Sequence, residues 1–331
     1  MRAFGITQYK KPLIAIDVPE PAVGPRDVLV NVEASGVNHL DEKIRAGEFK
    51  AILPYNLPRV LGHDVAGTVI RVGDQVRSFA PGDQVYARPD TDQVGTFAER
   101  VVVNEADLAH KPSSLSVQQA GGLPLVALTA WQALVERGRV RPGQKVLIHA
   151  GAGAVGSIAI QLAKHLGATV ATTASGDGIQ TVRELGADVV VDYRTQDFAE
   201  QLSGYDLVLD SLGGDNLAKS LRVLRRGGLV VGIAGPPDPD FARGAGLNPV
   251  LRTVIGLISG KTRRQAAKLG VRYQFLFMHS SGDQLRQLAE LFDDGTLRPL
   301  PVQTFDFEDT PQALAAVAGG HVRGKAVITR S

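Results

Sequence analysis

The chain predicts an α/β protein, with a doubly wound parallel-sheet domain inserted within a compact, partly open β-barrel domain. Three observations carry that expectation. A glycine-punctuated strand–turn–helix lies near the middle, from Lys145 to Ala168. Strands alternate with helices from about Pro124 to Met278. Residues 1 to about 122 read as short β-rich pieces broken by Pro-Gly, Gly-Pro and Gly-Asp pairs. Alternating strands and helices imply a parallel sheet with helices on both faces, and short strands separated by turn signals pack into a barrel.

The central stretch begins with an apolar run of strand type, Lys145 to His149. Gly151, Ala152, Gly153, Ala154, Val155 and Gly156 follow, and then Val155, Ile158, Ala159, Leu162, Ala163 and Leu166 recur at 3.6-residue spacing. In the context of strand, turn and helix, GxGxxG reads as a dinucleotide fingerprint. Gly151 allows a tight turn, Gly153 lets backbone approach a pyrophosphate, and Gly156 lets the helix pack tightly on the strand. The helix offers unpaired N–H groups and the positive end of its dipole to phosphate. Small-residue turns also occur where a helix merely packs on a sheet, but the flanking elements favour the fingerprint.

Before this stretch, strands are expected at Val28 to Ala34, Val65 to Val72, Gln84 to Ala87 and Phe97 to Val103, and a helix at Val126 to Arg137. After it come strands at 169–173, 189–192, 206–210 and 229–233, with helices at 177–185, 195–202 and 215–225. Pro236 to Gly270 is rich in Gly and Pro, then basic at Lys261 to Arg264, and reads as surface; Val271 to Met278 is the sixth strand. An amphipathic helix is expected at Asp283 to Phe292. Another is expected to start with Thr310 as N-cap and Pro311 at N1, with a closing strand at Lys325 to Thr329. The tail should return to the barrel, giving one domain from 1–122 and 281–331 and a nucleotide domain over 123–280.

The 331 residues exceed one ordinary core. Lys plus Arg number 36 against 34 Asp plus Glu, so the balance gives no case for a nucleic-acid partner. There is no cysteine, which excludes disulfides, thiolate nucleophiles and every cysteine-ligated metal site. No stretch has the length of a signal-peptide core or a membrane helix, so a cytoplasmic protein with no membrane partner is expected.

Several motifs in order carry a family resemblance: Gly36-Val37-Asn38-His39-Leu40-Asp41, Leu61-Gly62-His63-Asp64, Pro81-Gly82-Asp83, Thr129-Ala130, the glycine motif, Leu185-Gly186-Ala187-Asp188 and Gly324-Lys325. Through them the whole chain resembles the medium-chain dehydrogenase/reductase superfamily, in its zinc-free quinone oxidoreductase branch. The resemblance implies a GroES-like catalytic barrel, a Rossmann domain and a cleft between them, where nicotinamide passes hydride to a carbonyl, quinone or activated alkene. Zinc-dependent relatives place cysteine at the position of Asn38 and histidine at that of His63. They also carry a second cysteine near the start of the nucleotide domain and a four-cysteine lobe, none of which exists here.

Asn38 can hydrogen-bond a developing oxyanion, or it can stabilise the turn after its strand. Asp41 and Lys43 lie two apart and would not face each other on a helix, so Asp41 is either a group at the cleft rim or part of a solvated helix end. His63 with Asp64 reads as a cleft residue by resemblance and equally as a histidine held structurally by a carboxylate. Tyr55 can donate a proton to an enolate, as tyrosines do in related enoyl reductases, or simply pack over the cleft mouth. A metal site built from His39, Asp41, His63 and Asp64 is set aside, because adjacent residues rarely point the same way. The resemblance carries Thr129 as a nicotinamide-side contact, Tyr193 as an adenine or phosphate contact, and Gly235, Phe275, Phe277 and Lys325 as further cofactor contacts.

NAD-specific sites place an acidic residue about 20 positions beyond the glycines. Here that count falls on Ala171-Thr172-Thr173-Ala174-Ser175, where no carboxylate would repel a 2′-phosphate and Ser175 can donate to it. Many NADPH-using relatives have a lysine shortly after the serine, where this chain has Asp177, and Arg183 or Arg194 would have to replace its charge. The expectation is a zinc-independent, NADPH-dependent reductase of quinones or α,β-unsaturated carbonyls. Its alternatives are a carbonyl/alcohol dehydrogenase and a non-enzymatic NADPH-binding redox sensor. The apolar edge strand VRYQFLFM invites pairing in a homodimer.

Overall fold

The computed structural model describes residues 1–330, apart from the side chain of Asp92. The chain forms two compact units, one made of Met1–Leu128 with the segment from His279 onward, the other of Thr129–Met278.

In the first unit the ten-residue strand Asp27–Gly36 is the spine. It pairs antiparallel with Val65–Val72, with Arg100–Asn104 along its first half, and with Lys325–Thr329 at its end. Gln84–Ala87 and Leu108–His110 extend the sheet on one side, and Val302–Asp306 extends it on the other. Valines of these strands, among them Val28, Val30, Val65, Val69, Val85 and Val103, fill one core. This is the partly open GroES-like barrel. A second small sheet of Ile14–Asp17, Arg2–Ile6 and Arg59–Val60 flanks it, and neither this sheet nor the helix His39–Arg45 was legible in the sequence pattern. The strand expected at Phe97 begins only at Arg100, because Phe97 and Ala98 are buried and pair with the small sheet through Ala3 and Phe4.

The second unit is a six-stranded parallel sheet. Its order is Val189–Asp192, Thr169–Ala174, Lys145–Ile148, Tyr205–Asp210, Leu224–Gly232, Arg272–Phe275. Numbered along the chain within this unit, that is 3-2-1-4-5-6, the Rossmann order, which reverses beside Lys145–Ile148. The helix Ala154–His165 follows the first strand, and its N-cap is Gly153. A Cβ on Gly151 would lie 2.1 Å from Thr172 Oγ1, and one on Gly156 would lie 2.4 Å from the carbonyl oxygen of Ala150. Strand and helix therefore approach to a distance that only glycine permits. The positive φ of this turn falls on Ala150, at 51°, and not on Gly151.

Several element boundaries differ from expectation for local reasons. The helix expected at 195–202 contracts to Phe198–Gln201, because Asp197 accepts from Ala199 N and caps it there. The helix expected at Val126 is Pro124–Trp131, continued by a π-turn over Gln132–Arg137. The stretch Pro236 to Gly270, read as surface with no helix assigned, holds three helices, Pro239–Gly244, Pro249–Ile258 and Gly260–Leu269. Asp238 and Asn248 cap the first two, each followed directly by proline. The sixth strand is shorter than expected, Arg272–Phe275. Near the end, Asp309 occupies the N-cap position assigned to Thr310, whose hydroxyl donates instead to Phe307 O at 2.6 Å.

The close approach at the glycine turn is testable. Gly156→Ala should destabilise the protein by about 1–3 kcal/mol, the usual cost of overpacking. Urea denaturation would show this as a lower midpoint at unchanged slope.

Candidate functional site

The first unit buries a polar network that joins Asn38, Asp41, His63, Asp64 and Lys325. Asn38 and Asp41 come from the start of the helix His39–Arg45, where Asn38 N donates to Asp41 Oδ2 at 2.8 Å. Asp41 Oδ1 accepts from Gly62 N at 3.1 Å and from His63 Nδ1 at 2.6 Å. With a carboxylate at that distance, Nδ1 carries the ring hydrogen and donates it. His63 is fully buried, and its Nε2 has no hydrogen-bond partner among the described residues.

Asp64, one residue on, faces a different partner set. Its Oδ1 accepts from Leu125 N at 2.7 Å, at the start of the helix Pro124–Trp131. Its Oδ2 accepts from Asn38 Nδ2 at 2.9 Å and from Lys325 Nζ at 3.2 Å. Lys325 Nζ also donates to Asn38 Oδ1. The ammonium has three hydrogens, so one remains after these two bonds. Asn38 is more committed: Nδ2 also reaches Gly36 O at 3.3 Å, so the amide serves the network before any ligand. The solvated-helix-end account of Asp41 is incorrect, since its side chain is fully buried and bonds inward to Asn38, Gly62 and His63.

Tyr55 stands apart from this network. Its ring packs on the same unit's core with the Arg59 guanidinium 4.8 Å from its centroid. Arg88, which the sequence did not single out, is buried in this unit. Its Nη1 donates to Pro89 O and Ser280 Oγ, and burial holds its pKa below the ordinary arginine value against the nearby Asp90 and Asp64 charges.

In the second unit the glycine turn lies at the carboxyl edge of the parallel sheet. Gly153 has no side chain to cap the helix, and the intrahelical ladder opens only at Ser157 N→Gly153 O, 2.9 Å. The N–H groups of Ala154, Val155 and Gly156 thus face outward from the helix start, where an anion is favoured. Thr173 Oγ1 accepts from Ala150 N at 3.0 Å and holds the turn in its positive-φ conformation. A buried chain supports Thr173 from beneath. His149 bonds Thr173 Oγ1 at 3.3 Å and Ser220 Oγ at 3.0 Å, and Ser220 donates to Asp210 Oδ2 at 2.8 Å. Burial pushes the His149 pKa down, against the raising effect of Asp210. Sequence reasoning missed this chain, although a histidine at the strand end just before the glycine motif was its visible signal.

The remaining expected cofactor residues divide. The strand Thr169–Ala174 ends without a carboxylate, with Ser175 half-buried immediately after it and Tyr193 exposed beyond the neighbouring strand. Thr129 is buried in the helix Pro124–Trp131. Gly235 lies against Tyr273, whose hydroxyl a Cβ there would meet at 2.4 Å. The Phe275 and Phe277 rings pack on Phe241, at 5.2 Å and 5.7 Å between centroids.

Comparison with known proteins places this architecture. Residues 24–113 match the family described as alcohol dehydrogenase GroES-like domain, and residues 185–328 match that described as zinc-binding dehydrogenase. The NAD(P)H oxidoreductase RTN4IP1, mitochondrial, of Mus musculus is 36% identical over 325 residues, covering 92% of this chain and 82% of that protein. The NADPH-dependent alkenal/one oxidoreductase, chloroplastic, of Arabidopsis thaliana is 35% identical, covering 93% and 73%. Among solved structures, the quinone oxidoreductase from Coxiella burnetii superposes with a TM-score of 0.86 at 31% identity, over 100% of this chain and 99% of that one. The chain belongs to the medium-chain dehydrogenase/reductase superfamily of oxidoreductases, in its quinone oxidoreductase-like branch.

Two outcomes follow from the geometry. Lys325→Ala leaves Asp64 buried without its cation and should cost about 3–5 kcal/mol, read by urea denaturation. His149 gives a pH signature. Its folded pKa is depressed, so the unfolded chain protonates first, and the stability it contributes is present above about pH 6.5 and is lost as pH falls below that value. The stability gap between the wild type and His149→Asn should therefore narrow between about pH 7.5 and pH 5, in paired denaturation curves.

Proposed function

We propose that this protein is a zinc-independent, NADPH-dependent reductase of quinones or α,β-unsaturated carbonyls. The observation that carries the cofactor choice is the end of the strand Thr169–Ala174. No carboxylate stands at its end, where Ser175 follows directly, and the first one after it, Asp177, occupies the N-cap position of the next helix. An NADPH pyrophosphate fits the outward N–H groups of Ala154, Val155 and Gly156, and the 2′-phosphate fits the Ser175 hydroxyl, with Tyr193 as a further contact. The reduced nicotinamide, when bound, supplies the hydride.

The chain's own part is binding, orientation and charge. The third N–H of Lys325, held in place by Asn38 and Asp64, donates to an oxygen of the ribose or of the acceptor as negative charge develops. Asn38 fixes that ammonium, and Asp41 with His63 fixes the helix start that presents Asn38. The proton that completes reduction comes from solvent or from a side chain such as Tyr55. Zinc independence is supported by the lack of any cysteine and by the engagement of Asn38 with Lys325 and Asp64. The names of the Arabidopsis and Coxiella relatives favour enone and quinone acceptors over alcohols. A cytoplasmic homodimer paired through the edge strand Arg272–Phe275 completes this reading, and sedimentation as a monomer at micromolar concentration would remove the dimer.

The deciding experiment is steady-state oxidation of NADPH and NADH with a small quinone and a short enone, with Ser175→Asp in parallel. NADPH should be preferred, and the added carboxylate should shift preference toward NADH by about tenfold or more, since one repelled phosphate contact is worth at least 1.4 kcal/mol. Binding of NADPH with no turnover of either acceptor would instead favour a cofactor-binding sensor.

A further inference from the structure

The helix Pro249–Ile258 is poorly accounted for by its own unit. Of its ten residues only Ile255 is buried, although Asn248 caps it and Pro249 opens it. Val250, Val254, Leu257 and Ile258 are 72%, 43%, 75% and 58% exposed. Their spacing of four, three and one places all four on one face. An isolated helix of this length is not stable in water, and one that leaves its apolar face uncovered lacks the packing that usually sustains it. Scattered exposed apolar residues need no explanation, but a contiguous aliphatic stripe does.

The surrounding charge indicates what covers it. Beyond Arg243, which pairs with Asp240, no Asp or Glu occurs until Asp283. The same stretch holds Arg252, Lys261, Arg263, Arg264, Lys268 and Arg272. On the adjoining helix Gly260–Leu269, Lys261, Arg264 and Lys268 are exposed at i, i+3 and i+7, a single basic face. Aliphatic side chains on one helix and cations on the next are the two attractions that hold a peripheral helix in a membrane interface. A second copy of this patch offers it no counter-charge, because a two-fold contact would present only the same stretch, which holds no Asp or Glu. We infer that this helix pair docks on an anionic lipid bilayer, with Val250, Val254, Leu257 and Ile258 entering the interface and Lys261, Arg264 and Lys268 meeting headgroup phosphates. The expectation of no membrane partner rested on the lack of a spanning segment, which this mode of attachment does not need.

Flotation of the full chain tests it, with vesicles of phosphatidylcholine alone and with one-third phosphatidylglycerol. The wild type should float with the anionic vesicles at low salt and be released by high salt. The triple variant Lys261→Gln, Arg264→Gln, Lys268→Gln should partition about a hundredfold more weakly. The double variant Leu257→Ser, Ile258→Ser should lose binding although every charge remains, and thermal melts would establish that both variants fold. Failure of the wild type to float with anionic vesicles overturns the inference, as does flotation undiminished in the double variant. Conversion of a dimer to a monomer by the double variant in sedimentation also overturns it, since the stripe would then be an interface between copies.

Discussion

The carboxylate of Asp64 is the constraint on which the first unit depends. It is fully buried, and a desolvated charge is tolerated only where donors surround it. Those donors come from three places far apart in sequence: the Asn38 amide, the Leu125 backbone and the Lys325 ammonium. Ser35 adds a bond to the Asp64 carbonyl oxygen at 2.7 Å. One side chain thereby registers the end of the spine strand, the start of a helix and the closing strand against each other. Gly36 follows from this crowding, since a Cβ there would stand 2.8 Å from Asp64 Oδ2 and 3.0 Å from Lys325 Cε. A buried ion pair is weak evidence of added stability, and its clearer effect is to hold the Lys325 ammonium in one place.

His63 and Asp64 show how two adjacent residues take separate tasks. They lie just before the strand Val65–Val72, and they engage different partners, Asp41 for one, and Lys325 with Asn38 for the other. Asp41 and Asp64 thus serve different cationic or donor groups, although Asn38 touches both, one through its backbone N–H and the other through its amide. The second unit anchors its turn through a chain of hydroxyls and an imidazole that ends on the buried carboxylate of Asp210. Its glycine turn requires a positive φ at Ala150, and the bond from Ala150 N to Thr173 Oγ1 offsets that strain locally. His149, Ser220 and Asp210 then restrict which way Thr173 can turn.

What the sequence disclosed follows from how each pattern arises. The parallel strands were legible because strands buried on both faces are written as unbroken apolar runs, as in Val146-Leu147-Ile148. Ile14–Asp17 is largely exposed and the helix His39–Arg45 has seven residues, too few for a rhythm to show. The caps of the helices Pro239–Gly244 and Pro249–Ile258 are visible as Asp-Pro and Asn-Pro pairs, but the glycines and prolines around them interrupt any 3.6-residue rhythm. In the site, Asn38, His63 and Lys325 were reached through resemblance, and Asp41 was left between two accounts. The pairing of Asp64 with Lys325 spans 261 residues and that of His149 with Ser220 spans 71, distances over which no local pattern operates. The fold supplies those contacts.

Charge taken over the whole chain hides its distribution. A net charge of +2 suggests no preference for an anionic surface. Yet a charge in physiological salt is felt over only about 10 Å, so an approaching surface responds to the patch it meets and not to the total. From Arg243 to the residue before Asp283 lie seven of the 36 basic residues and no acidic one, so the remainder of the chain is net acidic and the two regions cancel only in the sum. The same holds for hydropathy: an ordinary average conceals a helix whose aliphatic face is turned outward. Whole-chain composition therefore bounds the class of protein without bounding its surfaces, and those surfaces follow from where the fold brings like residues together.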